Sequence, residues 1–211
     1  RITYLSPAEH AEIVDAASGG KDAWGRNVMP CGNELPGFDV RLEDDAGNQV
    51  GDGEGGELGV CGNSIFKGYW DRAELNAEVL NDGWWRSGDL ARRDDSGVLC
   101  IVDRKKDMII SGGYNVYSIE VENIVSQHPD VAEVAVVGIP DPRWGEAICA
   151  FITRKPGADE EQELEDALDQ LCRAELAAYK APKRYVFMDE LPKTTTGKIR
   201  KIELREAIAD D

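Results

Sequence analysis

Residues 103–116 read DRKKDMIISGGYNV, and this stretch separates two different sequence patterns. An apolar run from Val98 to Val102 precedes it, three basic residues interrupt the run, and an apolar trio and a glycine pair follow. Apolar runs broken first by charge and then by glycine predict a strand, an exposed turn, a second strand and a tight turn. Because the charged part is too polar for a core, we place a domain boundary at residues 103–106.

The patterns on the two sides of this boundary predict two kinds of architecture. Short alternating strands before it are typical of a small β-barrel or sandwich. After it, helices and strands alternate, which is typical of a small α+β domain. The predicted strands are 38–42, 57–62, 90–92, 98–102, 131–139, 147–152 and 184–188, and the predicted helices are 6–17, 71–80 capped by Asp71, 118–127 capped by Ser118, 160–177 and 199–208.

The fold class predicted for the chain is therefore α+β. A small β-barrel-like part occupies residues 1–103, and a mixed α+β domain occupies residues 104–211. The chain begins with Arg1 rather than Met, in sequence that reads as the middle of a domain, so we expect it to be a piece of a longer protein.

Charge and cysteine content narrow the classes of partner. The chain has 41 acidic residues against 24 Lys and Arg, a net charge of −17, which argues against nucleic acid because phosphate binding needs a basic face. The basic residues cluster at 104–106, 180–184 and 193–205, which together could bind an anionic ligand. The five cysteines form no Cys-x-x-Cys pair and no metal-ligand spacing, which favours a reducing cytoplasm and no metal site. No apolar run has the length of a membrane helix.

Two further segments accompany the boundary stretch. Residues 83–90 read GWWRSGDL, and residues 192–201 read PKTTTGKIRK. The three segments occur in the order and spacing found in the AMP-forming acyl-CoA synthetases, and from Leu35 to Leu204 the chain resembles this family. The acyl-CoA synthetases belong to the adenylate-forming superfamily, together with the luciferases and the peptide-synthetase adenylation domains. The resemblance implies that residues 1–103 end a large N-terminal domain, and that residues 104–211 are a mobile C-terminal domain with a hinge near Lys106.

The resemblance also implies roles in nucleotide binding and catalysis. Asp89 would bind the ribose of ATP, since a carboxylate can accept hydrogen bonds from both hydroxyls; otherwise it is a turn residue that caps its own backbone. Arg104 would contact the ribose or a phosphate. Lys198 would reach the α-phosphate and the substrate carboxylate, and the alternative is an ordinary exposed lysine. Lys106 is either the hinge or another surface lysine.

A second group of residues would serve coenzyme A. The backbone of Gly112 and Gly113 would line the tunnel for pantetheine, because glycine permits close approach. Trp144 would stack on the adenine of CoA, or equally it closes the end of a strand. Lys183 would meet CoA phosphates.

The function implied by the resemblance is an ATP-dependent ligase that activates a carboxylic acid, a fatty or related acid, as acyl-AMP and transfers it to CoA. ATP, AMP, Mg²⁺ with ATP, and CoA are the implied cofactors. The family's phosphate-binding loop would lie before Arg1, so we expect these 211 residues alone to be inactive. A peptide-synthetase adenylation domain and a non-catalytic module that retains the fold remain alternatives, and a luciferase-like oxygenase is less favoured.

Overall fold

The structure, a computed structural model, describes residues 2–4, 6, 29–51, 53–94, 97–158 and 160–209. The chain forms two compact units, Arg1–Lys106 (unit 1) and Asp107–Asp211 (unit 2). The helix predicted at 6–17 lies outside the described residues except for Ser6. Among the residues that the structure describes, none of the helices has the length and apolarity needed to span a membrane.

Unit 1 is built on a curled, antiparallel sheet. In its described part, seven strands pair in the order β1-β2-β7-β6-β4-β3, and β5 pairs with β6. The strands are β1 Thr3–Tyr4, β2 Met29–Glu34, β3 Phe38–Glu43, β4 Gly56–Gly62, β5 Leu80–Asn81, β6 Trp84–Arg93 and β7 Leu99–Arg104, and the helix α1 is Ala73–Val79.

The core of unit 1 follows from the alternation of side chains along these strands. Successive side chains of a strand point to opposite faces of the sheet, and those on the inner face are buried together. They are Leu42, Leu58, Val60, Ala91 and Leu99. The predicted cap of α1 is wrong. Arg72, not Asp71, precedes the first helical turn, and no side chain caps it. Asp71 has a φ of 53° and belongs to the preceding turn, whereas a capping residue has extended backbone angles.

Unit 2 is a mixed domain with a five-stranded sheet in the described residues. β8, β9, β10 and β11 are antiparallel neighbours in the order β10-β11-β8-β9, and β12 pairs in parallel with β11. A 3-10 turn at Lys105–Asp107 leads into β8 Ile109–Ser111, β9 Tyr114–Val116, α2 Ser118–Val125, β10 Val131–Asp141, β11 Gly145–Arg154, α3 Glu161–Glu175, β12 Arg184–Phe187 and α4 Lys201–Ala209.

Both faces of the β10–β11 pair are covered, which explains their continuous apolar sequences. Alternate residues such as Val136 and Ile148 pack against α2 and α3. The residues between them, such as Val137 and Phe151, pack against Leu191 and against Leu204 of α4. The parallel pairing of β11 with β12 requires a crossover, and α3 provides it.

The fold class predicted from the sequence is confirmed: a β-barrel-like part precedes a small α+β part. The role of Ser118 as a helix cap is wrong, because Tyr117 is the capping position and Ser118 is the first helical residue. Its side chain is buried and accepts a hydrogen bond from Lys201 Nζ instead. The Ser118 hydroxyl therefore has a long-range partner that the local sequence pattern did not predict.

Candidate functional site

Asp89 and Arg104 form a cross-strand pair at the surface of unit 1. Asp89 lies on β6 and Arg104 ends β7, and the two residues are direct partners in the antiparallel register. Arg104 Nε lies 2.6 Å from Asp89 Oδ1, while the side chains are 54% and 26% exposed. The structure thus brings together the two residues predicted to contact the ribose, and it presents an acceptor beside a fork of donors.

A bulge in the β6–β7 ladder produces this pairing. Near the hairpin turn Ala91 opposes Ile101, but beyond the bulge Leu90 opposes Asp103. A regular ladder would place Asp89 opposite Asp103, so two carboxylates would face each other. The extra residue in β7 moves Arg104 into that place. Asp103 is instead buried, and its Oδ1 accepts a hydrogen bond from the backbone N–H of Arg104.

The glycine turn and Trp144 contact each other in unit 2. The N–H of Gly112 donates to the carbonyl of Trp144 at 2.8 Å. Gly112 has a φ of 60°, and a Cβ placed on it would lie 3.0 Å from Trp144 Cε3, so a larger residue would be strained and would press on the ring. The guanidinium of Arg143 lies 4.7 Å from the centre of the Trp144 ring. At this turn the backbone of Gly112 therefore packs closely against the Trp144 ring, and the Arg143 guanidinium lies beside the same ring.

Two aromatic residues near this turn were missed by the sequence reasoning. The rings of Tyr114 and Tyr179 pack with their centres 4.8 Å apart, and both are partly exposed. Next to Tyr179, Lys180 Nζ pairs with Glu120 at 2.7 Å. The sequence offers no signal for the tyrosine contact, because the two residues belong to segments far apart in the chain. Lys183 is exposed, and its Nζ donates a hydrogen bond to the nearby carbonyl of Ala178.

Lys198 lies in an exposed loop whose backbone is well defined. Its N–H donates to Thr194 Oγ1 at 3.1 Å, and its carbonyl accepts from the N–H of Thr194 at 2.8 Å. Gly197 turns the chain with a φ of 82°. The ammonium group of Lys198 has no ion-pair partner among the described residues, so it is available to an anion.

Two ion pairs fix the ends of this loop. Before it, Lys193 Nζ lies 2.7 Å from Glu133 Oε2 on β10. After it, Lys201 Nζ lies 2.7 Å from both Glu122 Oε1 and Ser118 Oγ on α2. The sequence reasoning placed Lys193 and Lys201 in a basic cluster but did not separate them from Lys198. The structure assigns these two to anchoring contacts and leaves Lys198 exposed between them.

Lys106 is exposed in the 3-10 turn where unit 1 ends. The part of the chain that the structure describes contains no group of three or more His, Cys, Asp or Glu side chains arranged to hold a metal ion.

Comparison with known proteins gives the family. Residues 120–198 match the model of the AMP-binding enzyme C-terminal domain. The chain is 46% identical over 175 residues to a long-chain-fatty-acid–CoA ligase of Salmonella typhimurium, covering 83% of this chain and 30% of the relative. It is 49% identical over 173 residues to a feruloyl-CoA synthase of Amycolatopsis sp, covering 81% of the chain and 35% of the relative.

A solved structure gives the same result. The o-succinylbenzoate CoA synthetase of Bacillus subtilis, in complex with its acyl-adenylate intermediate, superposes with a TM-score of 0.81 at 31% identity, and the match covers 100% of this chain and 39% of that one. The chain contains an AMP-binding enzyme C-terminal domain, and the relatives that it matches are CoA ligases. The resemblance inferred from the three motifs is thereby confirmed. The chain spans about a third of the length of the curated relatives it matches.

Proposed function

We propose that this chain is the C-terminal part of an ATP-dependent ligase that converts a carboxylic acid to acyl-AMP and then to a CoA thioester. The observation that carries the proposal is the exposed ammonium of Lys198, presented by a loop that is anchored on both sides. Relatives named as CoA ligases support it. The full-length parent, which includes the rest of the large domain, would carry the activity.

In the first half-reaction, a carboxylate oxygen attacks the α-phosphorus of ATP and pyrophosphate leaves. Both reactants are anions, so a cation aimed at the developing charge lowers the barrier. Lys198 would supply that charge, and no general base is needed because the acid is already ionised. Asp89 would accept hydrogen bonds from the ribose hydroxyls, and Arg104 would donate to a ribose oxygen or a phosphate beside it.

In the second half-reaction, the thiol of CoA attacks the acyl carbon and AMP leaves. The close approach at Gly112 and its neighbour Gly113 suits a narrow pantetheine chain. Trp144 would pack against the adenine, and Lys183 would meet a phosphate of CoA. Unit 2 would turn about Lys106 between the two half-reactions, because Lys198 and the glycine turn serve different steps.

Substrate and cofactors follow at the level of chemical class. The acid is a fatty or related carboxylic acid, in line with the relatives, and ATP and CoA are the co-substrates. Mg²⁺ would come with the ATP phosphates that it binds. We place the parent in the cytoplasm, where the five free cysteines would remain reduced.

Replacement of Lys198 by Ala in the parent tests the proposal. Pyrophosphate release with acid and ATP should fall by about 100- to 1,000-fold, the effect of one electrostatic donor. Thioester formation from supplied acyl-adenylate should remain near the wild-type rate. Lys67→Ala, at an exposed lysine of unit 1, is the matched control and should change neither rate.

Other outcomes separate the alternatives. Equal loss of both half-reactions in Lys198→Ala would contradict the assigned role. Acyl-AMP formation without transfer to CoA, but with transfer to a carrier-protein thiol, would favour a peptide-synthetase adenylation domain. A wild-type parent that releases no pyrophosphate with any acid would identify a non-catalytic module.

A further inference from the structure

The strand β8 runs into the glycine turn and pairs with β11 over a very short length. Within the described residues, the register between these two strands consists of one pair, Ser111 with Gly145. Next to that pair, the backbone N–H of Ile110 donates to a side chain of β11, Glu146 Oε2, at 2.7 Å. A bond from an N–H to a carboxylate is about twice as strong as a bond between neutral groups. A charged side chain therefore extends the short ladder at the base of the turn.

On the other side of the pair in register, the turn itself is bound. The N–H of Gly112 donates to the carbonyl of Trp144 at 2.8 Å. The segment that carries this carbonyl is fixed as well, because Asp141 Oδ1 accepts the N–H groups of Arg143 and Trp144, both at 2.8 Å. The turn and the start of β11 thus meet along three consecutive residues, and the Glu146 carboxylate makes the contact farthest from the turn.

The carboxylate of Glu146 fits this position because Gly138 of β10 carries no side chain. Glu146 lies opposite Pro140, and Gly138 is the diagonal neighbour on the same face. A Cβ on Gly138 would lie 2.8 Å from Glu146 Oε1 and 3.0 Å from Ile109 Cγ2. Gly138 lies within a strand and not at a positive φ, so the space for the carboxylate is what favours glycine. Alanine at this position would push the carboxylate away from the N–H of Ile110.

We propose that Glu146 is a positioning residue for the second half-reaction, and that it sets the distance between the glycine turn and Trp144 at which CoA binds. The inference rests on the proposed function, which assigns the turn and Trp144 to CoA. Glu146 acts through the backbone of Ile110 and does not touch the substrate. CoA is an anion, so a carboxylate that acted only by its charge would weaken the binding of CoA. A carboxylate that holds the turn would strengthen it, and the two roles therefore predict opposite effects when the carboxylate is removed.

The test compares the wild-type parent with Glu146→Ala and Glu146→Gln, using supplied acyl-adenylate and a range of CoA concentrations. Glu146→Ala should raise the KM for CoA about fivefold, the effect of one lost hydrogen bond, while acyl-adenylate formation stays near the wild-type rate. Glu146→Gln keeps an acceptor oxygen and should restore most of the loss. A lower KM in both variants would show a role of the charge alone. A purely structural role would lower kcat of both half-reactions together and leave the KM for CoA unchanged. Either result overturns the inference.

Gly138→Ala displaces the carboxylate without removing it and changes no residue of the turn. It should raise the KM for CoA about threefold in the wild-type parent but cause no further rise in Glu146→Ala, where the clashing oxygen is gone. Glu161→Ala on α3 is the matched control: it removes a carboxylate that is 57% exposed and should leave this KM unchanged. Increases that multiply in the double variant overturn the inference. If Glu146→Ala does not fold, an unchanged KM in Gly138→Ala overturns it.

A second measurement needs no substrate and so separates this inference from the proposed function. In the 211-residue chain, Glu146→Ala should make the amide of Ile110 exchange about fivefold faster, and the amide of Gly112 should follow it, because the turn loses its support. Glu146→Gln should restore both rates. Unchanged exchange at Gly112 would show that the carboxylate holds β8 but not the turn, and it overturns the inference even if the parent is an active ligase. The expected exchange rates with an inactive parent would contradict the proposed function alone.

Discussion

The Asp89–Arg104 pair of unit 1 and Lys198 of unit 2 present charge in opposite ways. Asp89 and Arg104 lie on adjacent strands and contact each other at 2.6 Å, so each side chain is oriented by the other. Lys198 has its backbone fixed by Thr194, while its ammonium group makes no ion pair within the described residues. The fixed parts of its surroundings are the flanking residues Lys193 and Lys201.

The difference fits the two kinds of chemistry proposed for these residues. A ribose is neutral, so a site for it gains from an acceptor and a donor held in register. A phosphate and a carboxylate are anions, and a lysine that was already paired with Glu or Asp would attract them less. Anchoring the loop through its neighbours positions Lys198 without neutralising it.

The largest effect on stability is expected at Lys201, which anchors the loop. Lys201 and Glu122 are only 16% and 19% exposed. Lys201→Met should lower the free energy of unfolding of unit 2 by about 3 kcal/mol, because it leaves a mostly buried carboxylate without its cation. Amide exchange of β10 and β11 in urea would measure it.

Lys193→Met is the matched control for Lys201→Met. Its partner Glu133 and Lys193 itself are more exposed, at 39% and 29%, so the loss should stay below about 1 kcal/mol. Equal losses of unfolding free energy in the two variants would show that both ion pairs stabilise the loop equally. The more buried pair with Glu122 on α2 would then contribute no more than the exposed pair.

A smaller effect is expected within the loop. Thr194→Val keeps the shape of the side chain but removes the hydroxyl that accepts the N–H of Lys198. The loss of one such hydrogen bond costs about 1 kcal/mol, so the amide of Lys198 should exchange about fivefold faster. Thr195→Val serves as the control, and it should leave this exchange rate unchanged. The same acceleration in both variants would refute a specific role for Thr194.

The smallest effect on stability is expected at the strand-held pair. Arg104→Met should change the free energy of unfolding of unit 1 by less than about 1 kcal/mol, because the pair is exposed enough for water to screen it. Thermal unfolding of the Arg104→Met chain would measure this change in stability. The control is Arg173→Met, which removes another exposed ion pair. A loss above about 2 kcal/mol would make Arg104 a structural residue and weaken the case for a ribose site.

The helix pattern in α3 illustrates how far local periodicity reaches. Leu164, Leu168, Leu171 and Leu176 recur at helical spacing in the sequence. In the structure Leu171 is only partly buried, while Cys172 is fully buried. Cys172 continues the four-residue step from Leu164 and Leu168, which keeps it on the face toward the sheet. Periodicity thus predicted the helix and its face, and the packing decided which residue at the edge of the stripe was covered.

The sequence by itself determined the types of element, the change of pattern after Asp103, and the family, because these depend on local periodicity and on short motifs. Only the tertiary structure decided which charges become partners. The pairs of Lys201 with Ser118 and Arg205 with Asp107 join residues 83 and 98 positions apart, and a bulge between Leu90 and Ala91 places Arg104 rather than Asp103 beside Asp89. Local pattern fixes the face on which a side chain lies, whereas register and packing between distant segments fix what it meets there.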